Sequence, residues 1–110
     1  SIGILPGSRH QEVANMLDTI SSLFEKYQSV RFHIAAVDNL PYHLYEKYSG
    51  FQNVKIHINQ AYDILKIVDG AIVTSGTATL ETALFNVPQV VCYKTSELTY
   101  QKMSRIPQIE

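Results

Sequence analysis

The chain has 110 residues, with nine basic and ten acidic side chains for a formal charge of −1, 45% apolar residues and one cysteine, Cys92. That length suits one domain and the composition is that of a packed core, which excludes a disordered tail, a collagen-like repeat, a disulfide scaffold and a cysteine zinc site. Lys and Arg are scattered from Arg9 to Arg105 without a basic run, and no apolar stretch approaches the ~18 residues of a membrane span, so neither nucleic acid nor a spanning segment is expected.

Short apolar runs of β type alternate with helical patterns. Ile2-Gly3-Ile4-Leu5 reads as the first strand and ends at Pro6-Gly7-Ser8. Because the sequence opens inside a strand without an initiator methionine, it is expected to be a piece of a longer protein. Val13, Met16, Leu17, Ile20, Phe24 and Tyr27 then recur at three- and four-residue steps, one face of a long amphipathic helix. Ser8 with Gln11 is a capping-box pattern and places that helix's start. Phe32 to Val37 is the second strand, and Asp38-Asn39-Leu40-Pro41 breaks it before a short helix from Tyr42 to Tyr48. In that segment Tyr42, Tyr45 and Tyr48 form a packing stripe. Val54 to Ile58 is the third strand, followed by Asn59 as an N-cap and a helix through Leu65. Ala71-Ile72-Val73 is the fourth, and Ser75-Gly76 hands over to a helix reaching Phe85. Gln89 to Tyr93 is the fifth strand, and Leu98 to Ile106 a final helix.

Strict βαβα alternation predicts a parallel sheet, and the runs at 71–73 and 90–92 are apolar on both faces, as burial between two helical layers requires. The fold class is α/β: a Rossmann-like three-layer α/β/α unit with a five-stranded parallel sheet. Strand order 3-2-1-4-5 is expected, although alternation alone fits the flavodoxin-like order as well. In such sheets ligands bind beyond the carboxyl ends of the strands at the topological switch point, here between the strands beginning at Ile2 and Ala71. The turns after those strands are Pro6-Gly7-Ser8-Arg9 and Thr74-Ser75-Gly76-Thr77. Each joins a glycine and hydroxyl side chains to a helix start, where free N–H groups and the positive end of the helix dipole attract an anion.

One exposed helix end contributes only ~0.3–1 kcal/mol, and a charged hydrogen bond such as one from Arg9 adds ~1.5–3 kcal/mol. Two turns converging on one crevice would therefore hold a diphosphate where one would not. Either turn alone would equally suit a capped helix start with no ligand. Glu81 lies four residues after Thr77 on the same helix face, with Leu80, Ala83, Leu84 and Val87 as the buried stripe beside them. A carboxylate one turn inside such a helix suits a ribose diol better than the anion itself. The sequence contains no G-x-G-x-x-G, no P-loop and no Gly-x-Ser-x-Gly elbow. His10, His33, His43 and His57 have no metal-ligand spacing. His33 and His57 read as ordinary sheet residues, His10 opens a helix beside Arg9, and Cys92 reads as inert core.

Pro6-Gly7-Ser8-Arg9 with Glu12-Val13, then Ser75-Gly76-Thr77-Ala78-Thr79-Leu80-Glu81, then Pro88 with Val90-Val91-Cys92-Tyr93-Lys94 together resemble a known family. The likeness is to the C-terminal half of lipid-A-disaccharide synthase, a GT-B glycosyltransferase of Gram-negative bacteria, and runs from Leu5 to about Lys94. It implies transfer of 2,3-diacylglucosamine from UDP to 2,3-diacylglucosamine 1-phosphate, by a metal-independent, inverting mechanism without cofactors. It also implies a cytoplasmic enzyme peripheral to the inner face of the inner membrane. Residues 1–110 would be the UDP-sugar-binding domain of a longer two-domain enzyme, inactive alone, with the acceptor and the catalytic base supplied by the other half. Carried onto this chain, Gly7, Ser8, Arg9, Ser75, Gly76 and Thr77 would hold the diphosphate, and Glu81 the ribose. Arg9 would stabilise the leaving group, and the Asn59–Tyr62 turn is the candidate for uracil. Two other readings share the same crevice: another UDP-sugar GT-B enzyme, such as a UDP-N-acetylglucosamine transferase or 2-epimerase, and a non-catalytic nucleotide-binding module.

Overall fold

In the computed structural model, which describes residues 1–74, 77–92 and 98–101, strands and helices alternate. The elements are β1 (Ile2–Leu5), α1 (His10–Lys26), β2 (Phe32–Ala36), α2 (His43–Glu46), β3 (Val54–Ile58), α3 (Ala61–Ile67), β4 (Gly70–Val73), α4 (Thr77–Leu84), β5 (Gln89–Cys92) and β6 (Leu98–Gln101). They form one sheet of order β3-β2-β1-β4-β5-β6. The strands β1 to β5 are all parallel and stand in the 3-2-1-4-5 order expected, not the flavodoxin-like one.

One element differs in kind. Where a final helix was expected from Leu98, the chain forms β6, antiparallel to β5 with Leu98 opposite Cys92 and Gln101 opposite Gln89. Thr99 and Tyr100 favour extended backbone, and pairing here satisfies the N–H and C=O groups that β5 would otherwise leave open at the sheet edge. Residues 102–106 of that expected helix, and Tyr93 at the end of the fifth strand, lie outside the described residues.

Each face of the sheet has its own apolar layer. On one face Val13, Met16, Leu17, Ile20 and Phe24 of α1 pack on Ile4, Phe32, Ile34 and Ile72. On the other, Ile64 and Leu65 of α3 pack on Leu5, Ala35, Ala71 and Val73. Neighbouring residues such as Ile4 and Leu5, or Ile34 and Ala35, thus go to opposite layers, because strand side chains alternate between faces. Phe24 is the aromatic hub of the first layer, meeting Phe32, Phe51 and Tyr48 edge-on with ring centroids 5.0, 5.5 and 6.1 Å apart. On the second face a Cβ at Gly3 would stand only 3.0 Å from Ile64 Cγ2, so glycine lets α3 lie close on β1.

The helix boundaries shift from the expected ones for local reasons. Ser8 is not the cap of α1: Arg9 holds that position without a side-chain cap bond. Gly7 at φ 96° extends the turn by a residue, and Gln11 reaches forward to donate to Asn15 Oδ1 at 3.1 Å. The α1 stripe is buried from Val13 to Phe24, whereas Tyr27 is the C-cap and 46% exposed. Tyr45 and Tyr48 are buried as a packing stripe requires, but Tyr42 is exposed and α2 is a single turn. Asn59 does not cap α3 either. It takes a left-handed φ of 56° and accepts from the Asp38 N–H through Oδ1 at 3.3 Å, leaving Gln60 as the N-cap. On α4 the expected buried stripe is half right. Ala83 and Val87 are buried, but Leu80 and Leu84 are 60% and 61% exposed because Thr82 and Ala83 face the sheet instead.

Candidate functional site

The order of the strands puts β1 beside β4 in register, from Ile2 opposite Gly70 to Leu5 opposite Val73. The chain therefore leaves both strands at neighbouring points on the same sheet margin. The Thr74 N–H donates to the Leu5 carbonyl at 3.3 Å, extending the pairing by one residue. Thr79 Oγ1 donates to the Thr74 carbonyl at 3.2 Å, fixing the exit from β4 against the first turn of α4. Gly7 is required here on two counts. Its φ of +96° lies where L side chains are strained, and a Cβ on it would be 2.7 Å from Glu12 Oε1 and 3.4 Å from Thr74 Oγ1. The turns after β1 and β4 thus leave the sheet side by side, joined by the Thr74–Leu5 backbone bond. Ser75 and Gly76, the middle of the second turn, lie outside the described residues, and Thr77 opens α4.

Beyond the strand ends lies an open crevice of about 710 Å³. Of the residues singled out from the sequence, Gly7, Ser8 and Glu81 line it, and so do Asn59, Gln60 and Tyr62 of the turn into α3. Arg9 does not line it. It stands exposed at the N-cap of α1, directly after Ser8. The charged lining is mixed: Lys66 and Asp63 come from α3 and Glu81 from α4. The start of α1 adjoins Gly7 and Ser8, so the unpaired N–H groups of a 17-residue helix begin at this margin.

Glu81 is already engaged. The Tyr62 hydroxyl donates to Glu81 Oε2 at 2.9 Å, and the Tyr62 ring packs on Phe85 with centroids 5.5 Å apart and planes at 34°. The hydrogen bond to that carboxylate, and its negative charge, push the Tyr62 hydroxyl pKa above the usual tyrosine value, keeping it a neutral donor. Sequence reasoning missed this pairing and the presence of Lys66. The only signal available was that Tyr62 and Lys66 are four apart on one helix, which says nothing about a partner 19 residues along the chain from Tyr62.

The histidines make no such site. Among the described residues no group of three or more His, Cys, Asp or Glu is placed to hold a metal ion. His33 and His57 face each other across β2 and β3, Nδ1 to Nε2 at 2.9 Å, so one ring nitrogen donates to the other. Burial, and then the charges of His57, Arg31 and Lys55, lower the His33 pKa below its ordinary value. A second hollow, about 320 Å³, lies at the opposite end of the strands between apolar groups including Ile2, Leu23, Phe32, Ile72 and Val90.

Five parallel strands in this doubly wound order, with helices on both faces, define a Rossmann-like α/β unit, a class whose ligands lie beyond the carboxyl ends of the strands. The model of the lipid-A-disaccharide synthetase family matches residues 1–110, and the chain belongs to that family. It is 32% identical over 115 residues to the lipid-A-disaccharide synthase of Geobacter sulfurreducens, an alignment covering 99% of this chain and 30% of that protein. Against the synthase of Neisseria meningitidis serogroup C it is 37% identical over 112 residues, covering 93% of this chain and 29% of the relative. For Nitrosococcus oceani the identity is 32%, with 91% of this chain and 27% of the relative covered. The chain therefore spans about 30% of the length of the curated relatives it matches.

Proposed function

We propose that this chain is the UDP-sugar donor-binding part of a lipid-A-disaccharide synthase, a glycosyltransferase with a GT-B architecture. The full reaction would move 2,3-diacylglucosamine from UDP to 2,3-diacylglucosamine 1-phosphate and release UDP and lipid A disaccharide. The acceptor and the catalytic base would come from polypeptide outside residues 1–110, and the enzyme would act in the cytoplasm, peripheral to the inner face of the inner membrane. Family membership supports the reaction class. The observation that carries the donor-site reading is that the Gly7–Ser8 turn, whose strand is bonded to the exit from β4 through Leu5 and Thr74, shares one crevice with Glu81.

In this reading the diphosphate lies against Gly7 and Ser8 and the turn from Ser75 to Thr77, with Glu81 accepting from the ribose hydroxyls. Departure of UDP builds negative charge on the diphosphate. Backbone N–H groups at the helix starts stabilise that charge without a metal and need no reorganisation as it develops, and the exposed Arg9, one residue beyond Ser8, adds its guanidinium by turning toward the crevice. The sugar inverts because the acceptor attacks from the side opposite the leaving UDP.

A UDP titration of the intact protein, followed through backbone amide NMR shifts, tests the placement. The largest shifts are expected at Gly7, Ser8 and Glu81; shifts confined to residues around the apolar hollow at the other end of the strands would refute it. Turnover of a diacylated but not an unacylated donor separates this reading from other UDP-sugar enzymes of the same architecture.

A further inference from the structure

We propose that Tyr62 is a positioning residue of the donor site: its hydroxyl, bonded to Glu81 Oε2, holds that carboxylate in the one orientation that accepts a ribose. The inference rests on the donor-site reading above and deepens it. Glu81 stands on α4 with its neighbour one turn on, Leu84, exposed, so its own helix offers little to fix its side chain. An unrestrained glutamate loses rotamer entropy when a ligand immobilises it. The Tyr62 bond restricts that freedom beforehand. Tyr62 has only two side-chain torsions, and its ring is held against Phe85, the first residue after α4. The tyrosine thus meets Glu81 on α4 through its hydroxyl and the turn leaving α4 through its ring.

The chemistry of the pair fits recognition of a diol. An ionised carboxylate offers about four acceptor directions over two oxygens. The Tyr62 bond uses one of these on Oε2 and leaves Oε1 and the remaining lone pairs for hydroxyl donors. Both Tyr62 and Glu81 line the crevice, so the remaining acceptors stand where a ligand beside Gly7 and Ser8 would bring its sugar. A mere tie between α3 and α4 would need neither residue at the crevice wall.

The test is binding of UDP, 2′-deoxy-UDP and pyrophosphate to the intact protein by calorimetry, in wild type, Tyr62→Phe, Glu81→Ala and the double variant. Tyr62→Phe keeps the ring on Phe85 and removes only the donor. It is expected to weaken UDP about three- to tenfold, the range of one net hydrogen bond, while pyrophosphate binds as before. Its preference for UDP over 2′-deoxy-UDP is expected to shrink, and in the Glu81→Ala background Tyr62→Phe is expected to add nothing. The proposal is overturned if Tyr62→Phe binds UDP as wild type does. Two further results overturn it: an equal loss for pyrophosphate, which marks a purely structural role, and the same loss in the Glu81→Ala background, which marks direct contact between Tyr62 and the nucleotide. Glu81→Ala separates the two levels of the argument. If it weakens UDP while Tyr62→Phe does not, only the role of Tyr62 falls; if Glu81→Ala binds UDP unchanged, the ribose assignment falls with it.

Discussion

At the amino-terminal end of the strands, polar groups hold the chain to itself beside an apolar hollow, whereas at the carboxyl-terminal end several of them also line an open crevice. Asn53, just before β3, shows the first pattern. Its Nδ2 donates to the carbonyls of Phe24, Tyr27 and Val30 at 3.0, 3.2 and 3.0 Å, so one amide with two hydrogens serves three acceptors, two at the end of α1 and one in the loop that follows it. The adjacent hollow is walled by apolar side chains. At the other margin the chain leaves β1 and β3 through left-handed residues, Gly7 at φ 96° and Asn59 at φ 56°, and a crevice opens with Ser8, Lys66, Tyr62 and Glu81 on its walls. Strand direction is the cause. In a parallel sheet every strand delivers the chain to the same margin, so helix starts gather there and helix ends gather opposite.

The contrast can be broken by showing that either end does the other's work. Asn53→Ala is expected to destabilise the fold by roughly 2–3 kcal/mol, about 1 for each bond lost, in denaturant unfolding, with UDP affinity unchanged. A loss of UDP affinity would mean that the two ends are coupled. Arg9→Ala should do the reverse in the intact enzyme. Its kcat is expected to fall about 10- to 100-fold, the equivalent of a charged hydrogen bond formed in the transition state, with no change in unfolding. A raised KM at constant kcat would remove the leaving-group role. Gly7→Ala touches both properties: forcing a side chain into a left-handed turn costs ~1–2 kcal/mol, and the new Cβ would displace the Glu12 carboxylate, so stability and UDP affinity are expected to fall together. Glu81→Ala is expected to weaken UDP about 10- to 100-fold, the range of one hydrogen bond to a charged group, without affecting pyrophosphate.

The smallest effect sharpens the comparison from the sheet's interior. His33 has its pKa lowered by burial and by the nearby charges of His57, Arg31 and Lys55. The unfolded chain therefore takes up a proton before the folded one does. Stability from this residue is fully present above the ordinary value of 6.5 and is lost as pH falls from there toward the folded pKa. His33→Gln is expected to flatten the acid side of the unfolding profile; an unchanged slope would assign it to other groups.

Long, repeated patterns were legible in the sequence, and short ones that depend on a distant partner were not. The α1 stripe from Val13 to Phe24 and the apolar runs of β1 to β5 are periodic over enough residues that packing could only reinforce them. Leu98 to Gln101 is four residues long, and the open edge of β5 decided its state over a weak helical pattern. Ser8 and Asn59 have the chemistry of caps, yet the backbone at Gly7 and at Asn59 itself turns left-handed and moves each helix start onward. Leu80 and Leu84 have the spacing of a buried face, but small Thr82 and Ala83 fit against the sheet instead. In the candidate site, Gly7 and Ser8 could be singled out because Pro-Gly-Ser after an apolar run marks a turn by itself. The Asn59–Tyr62 turn could be picked out in the same way, but the pairing of Tyr62 with Glu81 could not, because Glu81 sits on another helix and only the packing of α3 beside α4 introduces them.

The reversed strand β6 has a bearing on how wide the ligand margin is. Running opposite to its neighbours, it places its first residue, Leu98, rather than its last, level with Cys92 at the carboxyl end of β5. Outgoing chain is delivered to that margin from β3 across to β5 and, among the described residues, from nowhere beyond. Among the described residues, the crevice takes its walls from inside that span, from the ends of β1 and β2 and from α3 and α4, and none from β6.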